Sequence, residues 1–324
     1  MVQQSAASVG APYRSPIKSG GVRALILLGA SAVVVLSLFS AGATADQGPS
    51  SESVQQPVAE PGNATLDTVT VEGQRQRELL EDRISAFVSS ITLNPRQEAL
   101  ARWQVPICPL VAGLPRDRGE SVFGRVSQVA RDAGSPLAPQ ECSPNFIVIM
   151  TREPEAMLRK WWSQNHRLFN KDRGTGGINR FIGTAEPIRV WYNACSQAPG
   201  WTKSSEMGRG LRCGTWESGS RLTWDVVSAI YTVIVVVDLR RIAGLNDGQL
   251  ADYIAMVGLA QIRKNSELGT APTILRLFAE PDVARPQGLS GWDQAFLKSL
   301  YGTDSGDVTQ LSQIKHRMKR DLVP

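Results

Sequence analysis

The stretch Val226–Val237, VVSAIYTVIVVV, is the longest apolar block of the chain beyond residue 45. Its twelve residues are too few for a helix to cross the ~30 Å hydrocarbon core of a bilayer. Its β-branched side chains predict a central strand with both faces covered. The chain then runs through DLRRIAGL to Asn246-Asp247-Gly248-Gln249, an N-cap residue followed three places on by Gln, which marks a helix start. The helix that follows carries DYIAMVGL, Asp252–Leu259. Its stripe of Leu250, Ile254 and Val257 is backed by Ala251, Ala255, Met256 and Ala260. A helix apolar on nearly every side is buried. Asp252 is the only charge between Gln249 and Arg263, near enough to the N-terminus to gain from the helix dipole.

Working outward from this strand and helix, Pro144–Phe169 reads as a second strand-then-helix unit. Phe146–Met150 is extended, Thr151 is the expected cap, and Met157, Leu158, Trp161 and Trp162 lie on the helix. Upstream, Glu78–Ile91 has Leu80, Ile84, Phe87 and Ile91 at helical spacing. A further helix is expected through ESVFGRVSQVARDAG, with Val122, Val126 and Val129 inward and Gly134 as C-cap. Downstream of Phe169, NKDRGTGGINRF reads as a surface loop. Its Lys171 precedes the glycines and no G-K-[ST] follows, which excludes a Walker-type phosphate loop. PIRVWYNACS is another strand. APTILRLFAEPD, GLSGWDQAFLKSLYGTD and DVTQLSQIKHRMKRDLV read as three short helices, the last ending in Lys315, His316, Arg317, Lys319 and Arg320.

The first 45 residues form a leader: Arg14, Lys18 and Arg23, then the apolar run Ala24–Phe39, then SAGATA. Ala43-Thr44-Ala45 predicts cleavage between Ala45 and Asp46, making residues 1–45 a signal peptide; the alternative is an uncleaved N-terminal membrane anchor. The leader holds three of the 35 basic residues and no acid, so the rest of the chain has 32 basic against 30 acidic residues. A body so nearly balanced is not a nucleic-acid binder. Residues 46–67, rich in Pro, Ser, Gln and Glu, are expected to form a disordered linker. TVTVEGQRQ, residues 68–76, alternates like an edge strand. Residues 68–324 are then a single α+β globular domain: a small central sheet packed by helices, with helices at both ends.

Four cysteines follow the leader, and an even count in an exported chain reads as disulfides. Short-loop closure pairs Cys108 with Cys142 and Cys195 with Cys213. No C-x-x-C occurs and the chain has only His166 and His316, so no metal or cofactor is expected. Catalytic candidates reduce to Asp238, at the end of the buried strand, and Asp252, because two acids alone can do acid–base work. Aspartates at strand ends and first helical turns also serve as caps, and both readings stand.

LSGWDQAFLKSLY, residues 289–301, and the order of elements before it resemble an uncharacterised family of secreted proteobacterial proteins of unknown function. Asp293, Leu297, Leu300, Tyr301 and Val257-Gly258-Leu259 carry the match. Asp252 and Tyr253 stand where that family has two glutamates. The resemblance implies a secreted location and a zincin-like arrangement, an analogy of fold that does not carry function. The expectation is an exported bacterial envelope protein, periplasmic or secreted, or else anchored in the inner membrane and facing the periplasm. Its role would be noncatalytic binding or assembly with an envelope protein or a glycan, with Trp161, Trp162, Trp201, Trp216 and Trp224 as a candidate aromatic face. Membrane contact would come only through an uncut leader or the basic C-terminal tail. The alternative is a hydrolase on a zincin-like scaffold that lacks the usual metal-binding His pair.

Overall fold

The apolar run occupies Val227–Asp238, the fifth strand (β5) of the protein. The computed structural model describes residues 64–92, 100–139, 141–169, 174–197, 227–263, 266–279, 285–304 and 309–323. Along one edge of β5 lies the parallel strand β3, Phe146–Thr151, in register from Phe146 opposite Val233 to Thr151 opposite Asp238. β2, Pro109–Ala112, continues the sheet parallel to β3. The two-residue β1, Arg102–Trp103, pairs with β5 lower down, at Ala229 and Ile230. On the other edge, β4, Ile188–Gln197, runs antiparallel to β5 with a bulge between Asn193 and Ala194.

β5 is buried on both faces, as its composition predicts. Val233, Val235 and Val237 enter the larger core. Ile234 and Val236 enter a smaller core on the opposite face with Trp191, Leu158, Phe169 and Phe181. The larger core is closed by α1 (Ala64–Ile91), α2 (Arg116–Ala133), α5 (Asp247–Leu259), α6 (Gly291–Gly302) and α7 (Gln310–Leu322). The smaller is closed by α3 (Pro154–Asn165) and α4 (Gly174–Gly183). This is the expected α+β arrangement, a small and mostly parallel sheet between helices.

The predicted caps of α2 and α5 are present. Gly134 ends α2 in the left-handed conformation at φ 81°, and Asn246 and Gln249 close a capping box on α5. Thr151 belongs instead to β3 and accepts the Glu153 amide at 3.1 Å, one residue ahead of α3. Ile84, Phe87, Val88 and Ile91 of α1 are buried as their spacing requires. α6 and α7 form where short helices are expected, whereas Ile274–Phe278 is a 3-10 turn.

Two expectations are corrected. TVTVEGQRQ is not a strand: residues 68–76 are helical, α1 beginning four residues inside the expected linker. Their Val/Thr alternation counts for less than the backbone hydrogen bonding gained by extending the helix that buries Ile84, Phe87 and Ile91. GTGGINRF is not a surface loop but the body of α4, because burial of Ile178, Phe181 and Ile182 outweighs the poor helix propensity of its glycines.

Cys108 and Cys142 are bonded, with Cα atoms 5.9 Å apart. The bridge ties the residues ahead of β2 to those ahead of β3, where the Asn145 side chain also accepts the Cys108 amide at 2.7 Å. The second expected bridge lies outside the described residues, which include neither Cys213 nor the Cys195 side chain. The leader, its cleavage site and the linker as far as residue 63 also lie outside them, as do Trp201, Trp216 and Trp224. Among the described residues no helix is long and apolar enough to cross a membrane.

Candidate functional site

The two nominated aspartates are buried but do not meet. Asp238, 1 % exposed, ends β5. It accepts the Arg240 amide at 3.0 Å, Arg240 Nε at 3.0 Å and Arg240 Nη2 at 2.9 Å. Arg241 Nε adds a weaker contact at 3.5 Å. Hydrogen bonding from the Arg240 guanidinium holds the Asp238 carboxyl below the usual range, against the opposing effect of burial. A carboxylate so held is no proton donor near neutral pH.

Asp252 faces α2. Arg125 grips it with Nε at 2.5 Å and Nη2 at 3.1 Å, and the Leu289 amide donates to it at 2.8 Å. It lies in the second turn of α5 and caps the backbone at Leu289 rather than its own helix. Asp247 is the acid in the first turn.

A third carboxylate, Asp293, is fully buried. It accepts Thr273 Oγ1 at 2.5 Å, the Ile274 amide at 2.8 Å, and the Ser290 amide and hydroxyl at 2.9 Å each. Burial pushes it up and these four donors oppose the shift. Ser290-x-x-Asp293 is a legible capping signal for α6. Its long-range role, fastening the 273–274 segment, is not legible.

The C-terminus of α5 explains Val257-Gly258-Leu259. The carbonyls of Val257, Gly258 and Leu259 accept, in turn, Tyr192 Oη at 2.5 Å, Trp103 Nε1 at 2.8 Å and Tyr301 Oη at 2.7 Å. Gly258 lies directly on the Phe146 ring, where a Cβ would overlap the ring carbons. These residues are packing and capping elements, and the helix carries no histidine.

His166 starts a 3-10 turn after α3 and sits edge-on to Trp162 at 6.3 Å. His316 is exposed on α7. Among the described residues no three His, Cys, Asp or Glu side chains cluster as metal ligands. Trp161 and Trp162 pack edge-on against Phe169 at 5.8 Å and 5.5 Å, partly buried over the smaller core. In the basic C-terminal cluster, Lys319 pairs with Glu81 at 3.1 Å and Arg320 with Asp321 at 3.7 Å. His316, Arg317 and Arg320 line a shallow hollow on α7.

Among the described residues, a cleft of about 460 Å³ beside β4 has the form of a ligand site. β4 supplies Ile188, Val190 and Tyr192, α5 supplies Tyr253 and Val257, and the segment after α5 supplies Leu268, Leu275 and Phe278. Tyr253 meets Phe278 edge to face at 4.9 Å. Its hydroxyl has no hydrogen-bond partner among the described residues, and burial, with the nearby Glu186 charge, pushes it up to about 12. Glu186, Arg263 and Arg276 are the charged lining residues. Arg276 Nη1 donates to the Gly269 carbonyl at 2.7 Å. No carboxylate pairs with Arg276 among the described residues. Sequence patterning misses this site because its walls come from segments spread between residues 186 and 279. Its local signals are two single residues, Tyr253 within DYIAM and Arg276 within ILRLF.

Comparison with protein-family models, with curated proteins and with solved structures finds no match to this chain.

Proposed function

We propose that the protein is exported to the periplasm or the cell surface and acts there by noncatalytic binding, taking a small apolar ligand into the cleft between β4 and α5. The observation behind this reading is the cleft itself. Its volume of about 460 Å³ falls in the range of small-molecule sites, ~300–1,000 Å³, and so does its chemistry, apolar walls with a few polar groups. Binding is favoured over hydrolysis because Asp238 and Asp252 are committed to Arg240, Arg241 and Arg125. Export rests on the leader, with its charged start, apolar run and Ala43-Thr44-Ala45 site.

The neutral fluorophore N-phenyl-1-naphthylamine tests the cleft. Its emission should rise saturably with the purified protein, and Leu275→Trp, which fills the cleft, should abolish the rise while leaving the melting temperature nearly unchanged. No saturable rise, or one indifferent to Leu275→Trp, contradicts the reading. Fractionation of cells expressing the full chain tests export. A mature protein beginning at Asp46 outside the cytoplasm is expected, and a full-length protein in the cytosol is the contrary result.

A further inference from the structure

The cleft is not electrically uniform, and its two ends differ. β4 and α5 both run antiparallel to the parallel strands, so residues preceding β4 and residues following α5 lie at opposite ends. Glu186, just ahead of β4, marks one end, where its charge acts on Tyr253. Arg263, just beyond α5, marks the other, where Tyr192 Oη meets the Val257 carbonyl and the Ile262 amide. Arg276 lines the same cleft, partly buried and with no paired carboxylate among the described residues. The lining thus carries two guanidiniums against one carboxylate. A guanidinium beside an apolar wall is suited to a carboxylate, which it can meet through two parallel hydrogen bonds.

Resting on the binding role given above, we propose that the ligand is an amphipathic monocarboxylate. Its apolar chain lies along Val190, Val257, Leu275 and Phe278, and its carboxylate is held by Arg276 on the side of Arg263. Glu186 at the far end repels a second negative charge, which selects mono- over dicarboxylates. Tyr253, whose hydroxyl has no hydrogen-bond partner among the described residues, lines the cleft and accommodates a neutral oxygen on the far end of the chain. Ile188 to Tyr192 span about 13 Å at the usual strand rise, and the lining continues beyond them to Glu186 and Arg263, which accommodates an extended chain such as dodecanoate.

Titration calorimetry on the full mature chain, with dodecanoate, dodecanol, dodecanedioate and ω-hydroxydodecanoate as probes below their micellar concentrations, tests the proposal. Dodecanoate should bind about tenfold or more tightly than dodecanol, the scale of one charge-assisted hydrogen-bonded contact, and more tightly than dodecanedioate. Arg276→Gln should remove the preference for dodecanoate over dodecanol. Tyr253→Phe should weaken ω-hydroxydodecanoate several-fold and dodecanoate little. Equal affinity for dodecanoate and dodecanol, or a preference that survives Arg276→Gln, overturns the monocarboxylate while the apolar cleft stands. Failure of every probe, the neutral fluorophore included, overturns the binding role itself.

Discussion

At the scale of single residues, the acids that look catalytic in the sequence are held by arginines. Asp238 is the clearest case: nearly inaccessible, with its carboxyl kept low by the Arg240 guanidinium. An acid whose folded pKa is depressed contributes stability that is full above its unfolded value, ~3.9 for Asp. That contribution is lost as the pH falls through the unfolded and then the folded value. Asp238→Asn is therefore expected to lower stability at pH 7 and to flatten its decline below about pH 4. Urea titrations of both proteins across the acid range check this, and parallel acid limbs contradict it. That Asp238 and Asp252 are buried follows from their strand end and their apolar helix. Asp238 is held locally, by Arg240 and Arg241 two and three residues on, whereas the partner of Asp252 depends on separate segments meeting, Arg125 of α2 reaching it across 127 positions of sequence.

At the scale of elements, β5 and α5 were legible because their signals are local and strong. A β-branched run makes a strand buried on both faces, and Asn246 with Gln249 starts a helix. α4 and the first turns of α1 were not legible, since glycines and Val/Thr alternation argued against helices that form through tertiary burial or by propagation. α5 also shows why one glycine matters. Gly258 lets the helix close onto Phe146, whose ring stacks on Trp103 with centroids 6.0 Å apart. Gly258→Ala forces the methyl group into that ring, and the expected loss is about 1–3 kcal/mol, the scale of core overpacking. Gly124→Ala, on α2 with open space around its Cα, should be neutral or slightly stabilising. Chemical denaturation of the pair separates packing from helix propensity, and equal effects contradict the packing account.

At the scale of the whole molecule, the Cys108–Cys142 bridge joins residues 34 positions apart in sequence and anchors the starts of the parallel strands β2 and β3. A loop of this size gives about 4 kcal/mol of stabilisation. The Cys108→Ala, Cys142→Ala double variant should lose about that much in urea, and an unchanged midpoint contradicts the assignment. The cleft belongs to this scale too. β4, α5 and the segment held by Asp293 make a cavity only once the sheet and its larger helical layer have assembled. The most direct measurement is heteronuclear NMR of the labelled mature protein during titration with N-phenyl-1-naphthylamine. Saturable shifts confined to β4, the Tyr253–Val257 face of α5 and residues 266–279 are predicted. Saturable shifts that cluster elsewhere, or none at all, would contradict the account.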